Sequence, residues 1–229
     1  MIAGMKNLTK RALIGALWVQ AALAALIFIP AFSLTYWQGW LYWCVVLAGG
    51  LTITLYFLRH DPALIERRLN AGPRAERERS QKPIQLLAGV LACVVIVVSA
   101  LDHLFGWSSV SWRVVVGGDA VVILGYVIVF RVFRENSFAS AIIEVDADQK
   151  VVSTGPYAVV RHPMYAGALL AFLGTPPALG SWWGLLPVGL IGLVIVWRLQ
   201  DEEKFLDRNL PGYEEYRRKV RWRLVPSVW

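Results

Sequence analysis

Long apolar runs alternate with shorter polar segments along the chain. Most of these runs approach the roughly 20 residues that a helix needs to cross the hydrocarbon core of a bilayer. The six runs are residues 12–34, 37–58, 84–105, 111–133, 164–179 and 182–199. The fifth run is short and ends at Pro176-Pro177, which is also compatible with half of a helical hairpin. We therefore predict an all-α, polytopic membrane helix bundle of about six spans, or of five if the fifth run does not cross.

The composition is that of a membrane protein rather than a soluble domain. Of the 229 residues, 57% are hydrophobic and only 17% are charged, whereas soluble domains carry about 25% charged residues. The first apolar run follows basic residues, as in a signal peptide, but it exceeds the roughly 7–15 residues of a signal-peptide core. We interpret it as an uncleaved first span.

The net charge of +7 is explained by where Lys and Arg lie. With six spans, 22 of the 23 basic residues fall on one side of the membrane, and Arg113 is the exception. The positive-inside rule then predicts that both termini are cytoplasmic, and the short outer loops favour a prokaryotic inner membrane. The basic residues are also expected to attract anionic membrane lipids. Because no recognition motif accompanies the charge, we predict no nucleic-acid partner.

Metal and disulfide chemistry are not expected. Cys44 and Cys93 lie inside predicted spans and have neither a disulfide framework nor metal-ligand spacing. We predict that they are small core hydrophobes. With only three histidines in the chain, we predict no metal site.

The chain has no internal repeat and no low-complexity linker, so we predict a single membrane domain over residues 1–229. Residues 1–132 hold the first four spans, and residues 133–229 hold the remaining spans and the polar motifs of the chain. Two apolar stretches surround a turn-like segment within residues 141–152, which predicts a short hairpin beneath the membrane. The last span is expected to continue as one helix out of the bilayer through residues 198–206.

The most informative motif is Gly-Pro-Tyr-Ala-Val-Val-Arg-His-Pro-Met-Tyr-Ala-Gly, residues 155–167. Ionisable groups at the depth of a membrane are costly and usually functional. Pro163 suits the first turn of a helix, which places Arg161 and His162 at a helix N-terminus, where backbone N–H groups attract anions. Together with Tyr165, these groups can hold a carboxylate. The alternative is that Arg161 reaches lipid phosphate and that Tyr165 joins the interfacial aromatic belt.

Three other positions have both a functional and a structural interpretation. The paired carboxylates Glu202 and Glu203 can bind hydroxyl groups or an ammonium, or act as a base, but Arg198 and Glu202 also have the spacing of a helical salt bridge. Asn136 is either a helix cap or a ligand for a polar cofactor group. Asp119 lies inside a predicted span, so it is a functional candidate or a partner in an interhelical hydrogen bond.

Two further polar residues lie at the outer end of the third span. We interpret Asp102 and His103 as interfacial residues.

The combined motifs resemble the isoprenylcysteine carboxyl methyltransferase and phospholipid methyltransferase superfamily, whose members are integral-membrane enzymes that use S-adenosylmethionine. The resemblance covers residues 133–229 and implies that they form the catalytic half of the protein, with the cofactor-binding motifs. The matching elements are Asn136, Gly155-Pro156-Tyr157, Arg161-His162-Pro163-x-Tyr165-x-Gly167, Glu202-Glu203-x-x-Leu206, Tyr213-x-x-Tyr216, and Pro226 after Arg221 and Arg223.

This resemblance implies a cytoplasmic pocket for S-adenosylmethionine and assigns roles within it. The implied cofactor-binding residues are Asn136, Tyr157, His162, Pro163, Tyr165, Gly167, Glu203 and Leu206. The candidate catalytic residues are Glu202, Arg161 and Arg221, and either Arg161 or a tail arginine such as Arg221 would orient an acceptor carboxylate. One of the two glutamates would bind the cofactor's polar groups, and the resemblance does not say which.

The implied reaction is in-line transfer of the methyl group to a lipophilic acceptor that enters sideways from the bilayer. A carboxylate such as that of a prenylated cysteine is nucleophilic at neutral pH, so catalysis would rest on positioning and desolvation. A phospholipid amine would require a base, for which either glutamate is a candidate. No partner protein and no oligomeric state follow from these residues.

Two other classes of protein are alternatives. Sterol and 5α-steroid reductases, which use NADPH, carry a similar Pro-Tyr-x-x-x-Arg-His-Pro-x-Tyr run. Their tails also carry a Cys-x-x-Lys-Tyr-Gly element, and this chain has no cysteine after position 93. A non-enzymatic membrane protein is the other alternative, with Asp119 as its best feature.

Overall fold

The computed structural model describes residues 2–72, 74–76, 78–143, 145 and 149–229, with side chains from Met5 onward. In this part of the chain there are eight α-helices and a 3₁₀ turn at Gly155–Ala158, and there are no strands. The helices are α1 (Ile2–Ala31), α2 (Trp37–His60), α3 (Pro62–Leu69), α4 (Gln81–Phe105), α5 (Trp112–Glu135), α6 (Pro163–Ala178), α7 (Leu185–Asn209) and α8 (Tyr213–Lys219). The predicted all-α, polytopic fold class is confirmed.

Four of the described helices are long and apolar enough to cross a membrane: Met5–Ala31 within α1, and all of α2, α4 and α5. The fifth and sixth predicted runs form α6 and α7, which differ from these four. Helix α6 has 16 residues, or about 24 Å of length. Helix α7 is one continuous helix of 25 residues, as predicted, but Arg198, Asp201 and Glu202 make its second half polar.

The α6–α7 hairpin nevertheless reaches the same end of the bundle as the turns that join α1 to α2 and α4 to α5. The Tyr36 hydroxyl, between α1 and α2, donates a hydrogen bond to the Leu179 carbonyl. Asp102 at the end of α4 accepts hydrogen bonds from the hydroxyls of Ser108 (2.6 Å) and Ser181 (2.5 Å). Asp102 is therefore a buried connector between two turns at the end of the apolar helices, and its predicted place at the membrane interface stays a prediction.

The opposite end of the bundle is polar and contains the first turns of α1, helix α3, the start of α6 and the end of α7. Leu8 of α1 packs against a buried cluster that includes Leu64 of α3 and Phe133 of α5. Asp61 caps α3, since its carboxylate accepts a hydrogen bond from the Leu64 amide at 3.1 Å. The N-terminal and C-terminal segments thus lie at one end of the bundle, and which side of a membrane this is remains a prediction.

Glycines bring α5 and α6 into close contact. A β-carbon at Gly125 would lie 2.6 Å from the Gly167 carbonyl oxygen, and one at Gly118 would lie 2.4 Å from the Ala178 amide. From the other side, a β-carbon at Gly174 would lie 2.6 Å from the Gly118 carbonyl oxygen. These glycines are seven residues apart on each helix, so they form two contact points along one interface, as in other closely packed membrane helices.

The two cysteines and Asp119, which lie within the apolar helices, differ in their exposure. Cys44 and Cys93 are exposed on the surfaces of α2 and α4, so the prediction that they are core residues was wrong. Asp119 is buried in α5, and its carboxylate oxygens have no hydrogen-bond partner among the described residues.

The loop between α5 and α6 contains no strand in its described part. Of the hairpin predicted within residues 141–152, residues 144 and 146–148 lie outside the described residues. Residues 141–143, 145 and 149–152 are irregular, so the hairpin is absent from the described part of this segment.

Candidate functional site

A cleft lies at the polar end of the bundle, where α5, α6, α7 and α8 meet the α5–α6 loop. Its empty volume, including the open mouth, is about 790 Å³. The residues that line it include Asn136, Phe138, Ser140, Ile142, Gln149, Lys150, Tyr157, Arg161, His162, Pro163, Met164, Tyr165, Glu202, Leu206, Leu210, Tyr213 and Tyr216. The lining combines tyrosine rings, aliphatic side chains and a small number of charged groups.

Asn136 and Tyr157 form one wall of the cleft. Asn136 ends α5, and its side-chain oxygen accepts a hydrogen bond from the Phe138 amide at 2.9 Å. Its amide nitrogen donates to the Tyr157 hydroxyl at 3.0 Å. Burial raises the pKa of Tyr157 to about 12, so this hydroxyl stays protonated. Asn136 therefore serves both as the predicted cap and as a cleft residue that fixes Tyr157.

Glu203 lies beneath the cleft, in the protein interior. Its side chain is 5% exposed and contacts Arg161 Nε at 2.7 Å, His162 Nε2 at 3.2 Å and Arg223 Nε at 3.0 Å. Burial opposes ionisation, but the hydrogen bonds from His162, Arg161 and Arg223 outweigh it and lower the pKa of Glu203 to about 2. Glu203 is thus ionised and fully engaged with its protein partners.

Arg161 fastens the C-terminal tail to the start of α6. Besides its contact with Glu203, its Nη1 donates to the carbonyls of Val220 (2.9 Å) and Arg221 (2.8 Å). The backbone amides of Arg161 and His162 donate to the carbonyls of Trp222 (2.8 Å) and Arg223 (3.0 Å). The buried Arg161 guanidinium therefore makes three hydrogen bonds that join the start of α6 to α7 and to the C-terminal tail.

Glu202 faces the cleft and belongs to a chain of hydrogen bonds that reaches α4. The Tyr165 hydroxyl donates to Glu202 Oε2 at 2.5 Å, and Arg198 Nε donates to the Tyr165 hydroxyl at 2.8 Å. Arg198 Nη1 then donates to Gln81 Oε1 at 3.2 Å, and Gln81 Nε2 donates to Asp201 at 2.5 Å. Tyr165 therefore mediates the predicted pairing of Arg198 with Glu202.

The structure brings most of the predicted site residues together. Eight of them line the cleft: Asn136, Tyr157, Arg161, His162, Pro163, Tyr165, Glu202 and Leu206. Three do not line it. Gly167 faces α5 at the helix interface, Glu203 is turned into the interior, and Arg221 has an exposed side chain.

Sequence reasoning assigned no role to several residues that shape the site. Arg223 pairs with Glu203 and lies over the Trp229 ring at 5.0 Å. Arg68 of α3 donates to the Ser140 carbonyl at 3.1 Å and approaches the Met164 sulfur at 3.6 Å, both beside the cleft. Gln81 is fully buried. Arg223 is part of the C-terminal motif that carries the family resemblance. No sequence signal connects the side chains of Arg68 and Gln81 to their hydrogen-bond partners near the cleft, which lie at least 72 positions away along the chain.

One comparison with known proteins bears on this geometry. Residues 112–211 match the family model described as phospholipid methyltransferase. This segment is similar to phospholipid methyltransferases. The match covers a little under half of the chain, from the start of α5 to just beyond α7, and it confirms the membrane methyltransferase superfamily predicted from the motifs. No curated protein matches the chain.

The family match and the four apolar helices together identify an integral membrane protein with a methyltransferase segment. The matched segment supplies α5, α6 and the polar end of α7, which carry three sides of the cleft.

Proposed function

We propose that this protein transfers a methyl group from S-adenosylmethionine to a lipophilic acceptor at the cleft between α5, α6, α7 and α8. One observation carries the proposal: the segment that matches the methyltransferase family forms three sides of the cleft that gathers the predicted site residues. In this proposal the cleft faces the cytoplasm of a prokaryotic cell.

The residues of the cleft fit the methyl donor chemically. When bound, the donor supplies a methyl group on a sulfonium, with a carboxylate and an ammonium nearby in the same molecule. The Glu202 carboxylate lines the cleft and suits the ammonium. The amides in the first turn of α6, after His162 and Pro163, suit the carboxylate. Glu203 already binds three cationic or polar partners, so we assign donor binding to Glu202 instead.

For the acceptor we propose a lipophilic carboxylate, such as that of a prenylated cysteine. This acceptor needs no general base, and Glu203 is held ionised and paired while Glu202 accepts the Tyr165 hydrogen bond. Arg161 and Lys150 are the cations among the lining residues. Because three Arg161 hydrogen bonds go to Glu203 and to the tail carbonyls of Val220 and Arg221, its role is to position the tail and to add positive potential.

A phospholipid amine is the second candidate acceptor, and the printed description of the matched family favours it. In that case Glu202 is the carboxylate on the cleft that would attract the acceptor's ammonium and take its proton, so that the free amine attacks the methyl group and the donor leaves as S-adenosylhomocysteine. The two acceptors carry opposite charges and accept the methyl group on different atoms, so a transfer assay that offers each in turn separates them.

The test begins with isothermal titration of the detergent-purified protein against S-adenosylhomocysteine, with NADPH titrated in parallel. We expect micromolar binding of S-adenosylhomocysteine that is weakened in Glu202→Ala and no binding of NADPH. Binding of NADPH alone would move the protein to the reductase class and overturn the proposal.

Transfer of labelled methyl groups then identifies the acceptor. The purified protein is incubated with methyl-labelled S-adenosylmethionine and either an N-acetylated prenylcysteine or vesicles that contain phosphatidylethanolamine. Label in the prenylcysteine supports the carboxylate acceptor, and label in the phospholipid supports the amine. Binding of the donor without transfer to either would contradict both acceptor assignments.

A further inference from the structure

Two tyrosines on α8, Tyr213 and Tyr216, line the cleft one helical turn apart, and their hydroxyls are in different situations. The Tyr216 hydroxyl donates to the Tyr157 carbonyl at 2.8 Å. Tyr213 is 4% exposed, and its hydroxyl is enclosed without a hydrogen-bond partner among the described residues. The same helix thus carries one satisfied phenol and one unsatisfied phenol in the cleft wall.

The unsatisfied hydroxyl is energetically unfavourable in the ligand-free protein. A buried donor without a partner destabilises the folded protein, whereas a phenyl ring of the same shape would avoid that cost. Burial, followed by the charges of Glu203 and Glu202, raises the pKa of Tyr213 well above its ordinary value. The hydroxyl therefore keeps its proton and is a neutral donor that lacks an acceptor.

The position of Tyr213 indicates which ligand supplies that acceptor. Helix α8 follows the polar end of α7 and packs through Tyr213 and Tyr216 against Leu206, Leu210 and Val151, away from the apolar helices. In the proposed reaction a lipophilic acceptor arrives from the bilayer, past the apolar helices. The wall formed by α8 therefore faces the water-soluble ligand.

We propose that the Tyr213 hydroxyl donates a hydrogen bond directly to the bound methyl donor and so contributes to its recognition. This inference rests on the proposed methyltransferase function and adds a contact that the family resemblance did not assign. The Tyr213 hydroxyl would bond to an oxygen or nitrogen atom in the nucleoside or amino-acid part of S-adenosylmethionine.

The experiment compares Tyr213→Phe with Tyr216→Phe in the full-length, detergent-purified protein. S-adenosylhomocysteine is titrated calorimetrically into each protein, and thermal unfolding is measured without ligand. For Tyr213→Phe we expect about 3–10-fold weaker binding, the equivalent of one lost hydrogen bond, and an unfolding midpoint that is unchanged or higher. Tyr216→Phe removes a satisfied hydrogen bond, so its unfolding midpoint is expected to fall.

The outcomes distinguish a failure of the Tyr213 contact from a failure of the proposed methyltransferase function. If the wild-type protein binds S-adenosylhomocysteine and Tyr213→Phe binds it within about twofold, the contact does not exist although the proposed function stands. Weaker binding that is accompanied by a lower unfolding midpoint would assign Tyr213 a structural role and would also overturn the inference. If the wild-type protein binds no S-adenosylhomocysteine, the proposed function and this inference both fail.

Discussion

At the scale of single residues, two adjacent glutamates differ in what they can do. Glu203 points inward and is held by Arg161, His162 and Arg223, whereas Glu202 points into the cleft and accepts one hydrogen bond from Tyr165. Successive residues on an α-helix point about 100° apart, so one of the pair faces the ligand space and the other faces the core. The charge of Glu203 therefore serves the fold, and the charge of Glu202 is available to a ligand.

We predict that Glu203 makes the protein sensitive to acid. Its pKa is lowered from 4.5 to about 2 in the folded state, so its stabilising contribution is complete above about pH 4.5 and is lost as the pH falls toward 2. The expected loss in the free energy of unfolding is of order 3 kcal/mol. Thermal unfolding in detergent across this pH interval measures it.

The matched variant for this prediction is Glu203→Gln. It should be less stable at neutral pH, because Arg161 and Arg223 are left beside a neutral group, and it should lack this acid-induced loss. The exposed pair of Glu215 with Lys219 supplies a second control, and Glu215→Gln should leave the unfolding midpoint unchanged. Identical pH profiles for wild type and Glu203→Gln would show that another group is responsible.

At the scale of secondary-structure elements, α5 and α6 form the frame on which the cleft is built. Their backbones approach at Gly125 and Gly167, and again at Gly118 and Gly174. This contact sets where α6 begins relative to the end of α5, and hence the distance between His162 and Asn136 across the cleft. The glycines thus influence the geometry of the cleft although they do not line it.

We predict that Gly125→Ala destabilises the protein by about 1–3 kcal/mol, because the added methyl group would meet the Gly167 carbonyl at 2.6 Å. Gly117→Ala is the matched control on the same helix, since a β-carbon there meets no atom within 4 Å. That control should be neutral or slightly stabilising, as alanine is the better helix former. Thermal unfolding of both variants in one detergent tests the difference, and equal midpoints would contradict the proposed packing.

Helix α4 is connected to the cleft by the hydrogen bond that Arg198 donates to Gln81. Replacing Gln81 by Leu removes one acceptor of Arg198 and a donor to Asp201. Arg198 keeps its contacts with the Ala141 carbonyl and with Glu76 but loses its link to α4, so Tyr165 and Glu202 are held less firmly. We expect weaker binding of S-adenosylhomocysteine in titration calorimetry. Ser80→Ala, which removes only the adjacent hydrogen bond to Asp201, should bind normally. Equal affinities for both variants would show that this chain of hydrogen bonds does not reach the ligand.

Much of this architecture could be predicted from the sequence, for reasons that differ between elements. The apolar runs determined the helices, and Pro163 determined where α6 begins. The orientation of the two glutamates could not be predicted, because it depends on how α7 rotates against its neighbours. Gly167 was predicted to contact the cofactor because it lies in the motif, but the structure uses its lack of a side chain for helix packing.

At the scale of the whole molecule, the bundle has two unlike ends. One end carries three short turns that are tied together by Tyr36, Asp102 and Ser181. The other end carries the cleft, helix α3 and both terminal segments. This asymmetry agrees with the one-sided distribution of Lys and Arg, which predicts that the cleft end faces the cytoplasm.

Site-directed labelling tests that orientation. Ser109 lies in the turn between α4 and α5, Ser153 lies in the loop before the 3₁₀ turn, and both are exposed. In a background that carries Cys44→Ala and Cys93→Ala, we predict that a membrane-impermeant thiol reagent labels Ser109→Cys in intact cells and labels Ser153→Cys only after lysis. The reverse pattern would place the cleft outside the cytoplasm.

The short length of α6 has a consequence for the surrounding lipid. At about 24 Å, this helix is several ångströms shorter than the roughly 30 Å hydrocarbon core of a typical bilayer. Its first turn opens into the cleft and its last turn is fixed at the far end of the bundle. Since a short apolar segment is accommodated by local thinning of the bilayer, the membrane beside α6 should be depressed. Such a depression would bring lipid headgroups toward the cleft before any lipid leaves the bilayer.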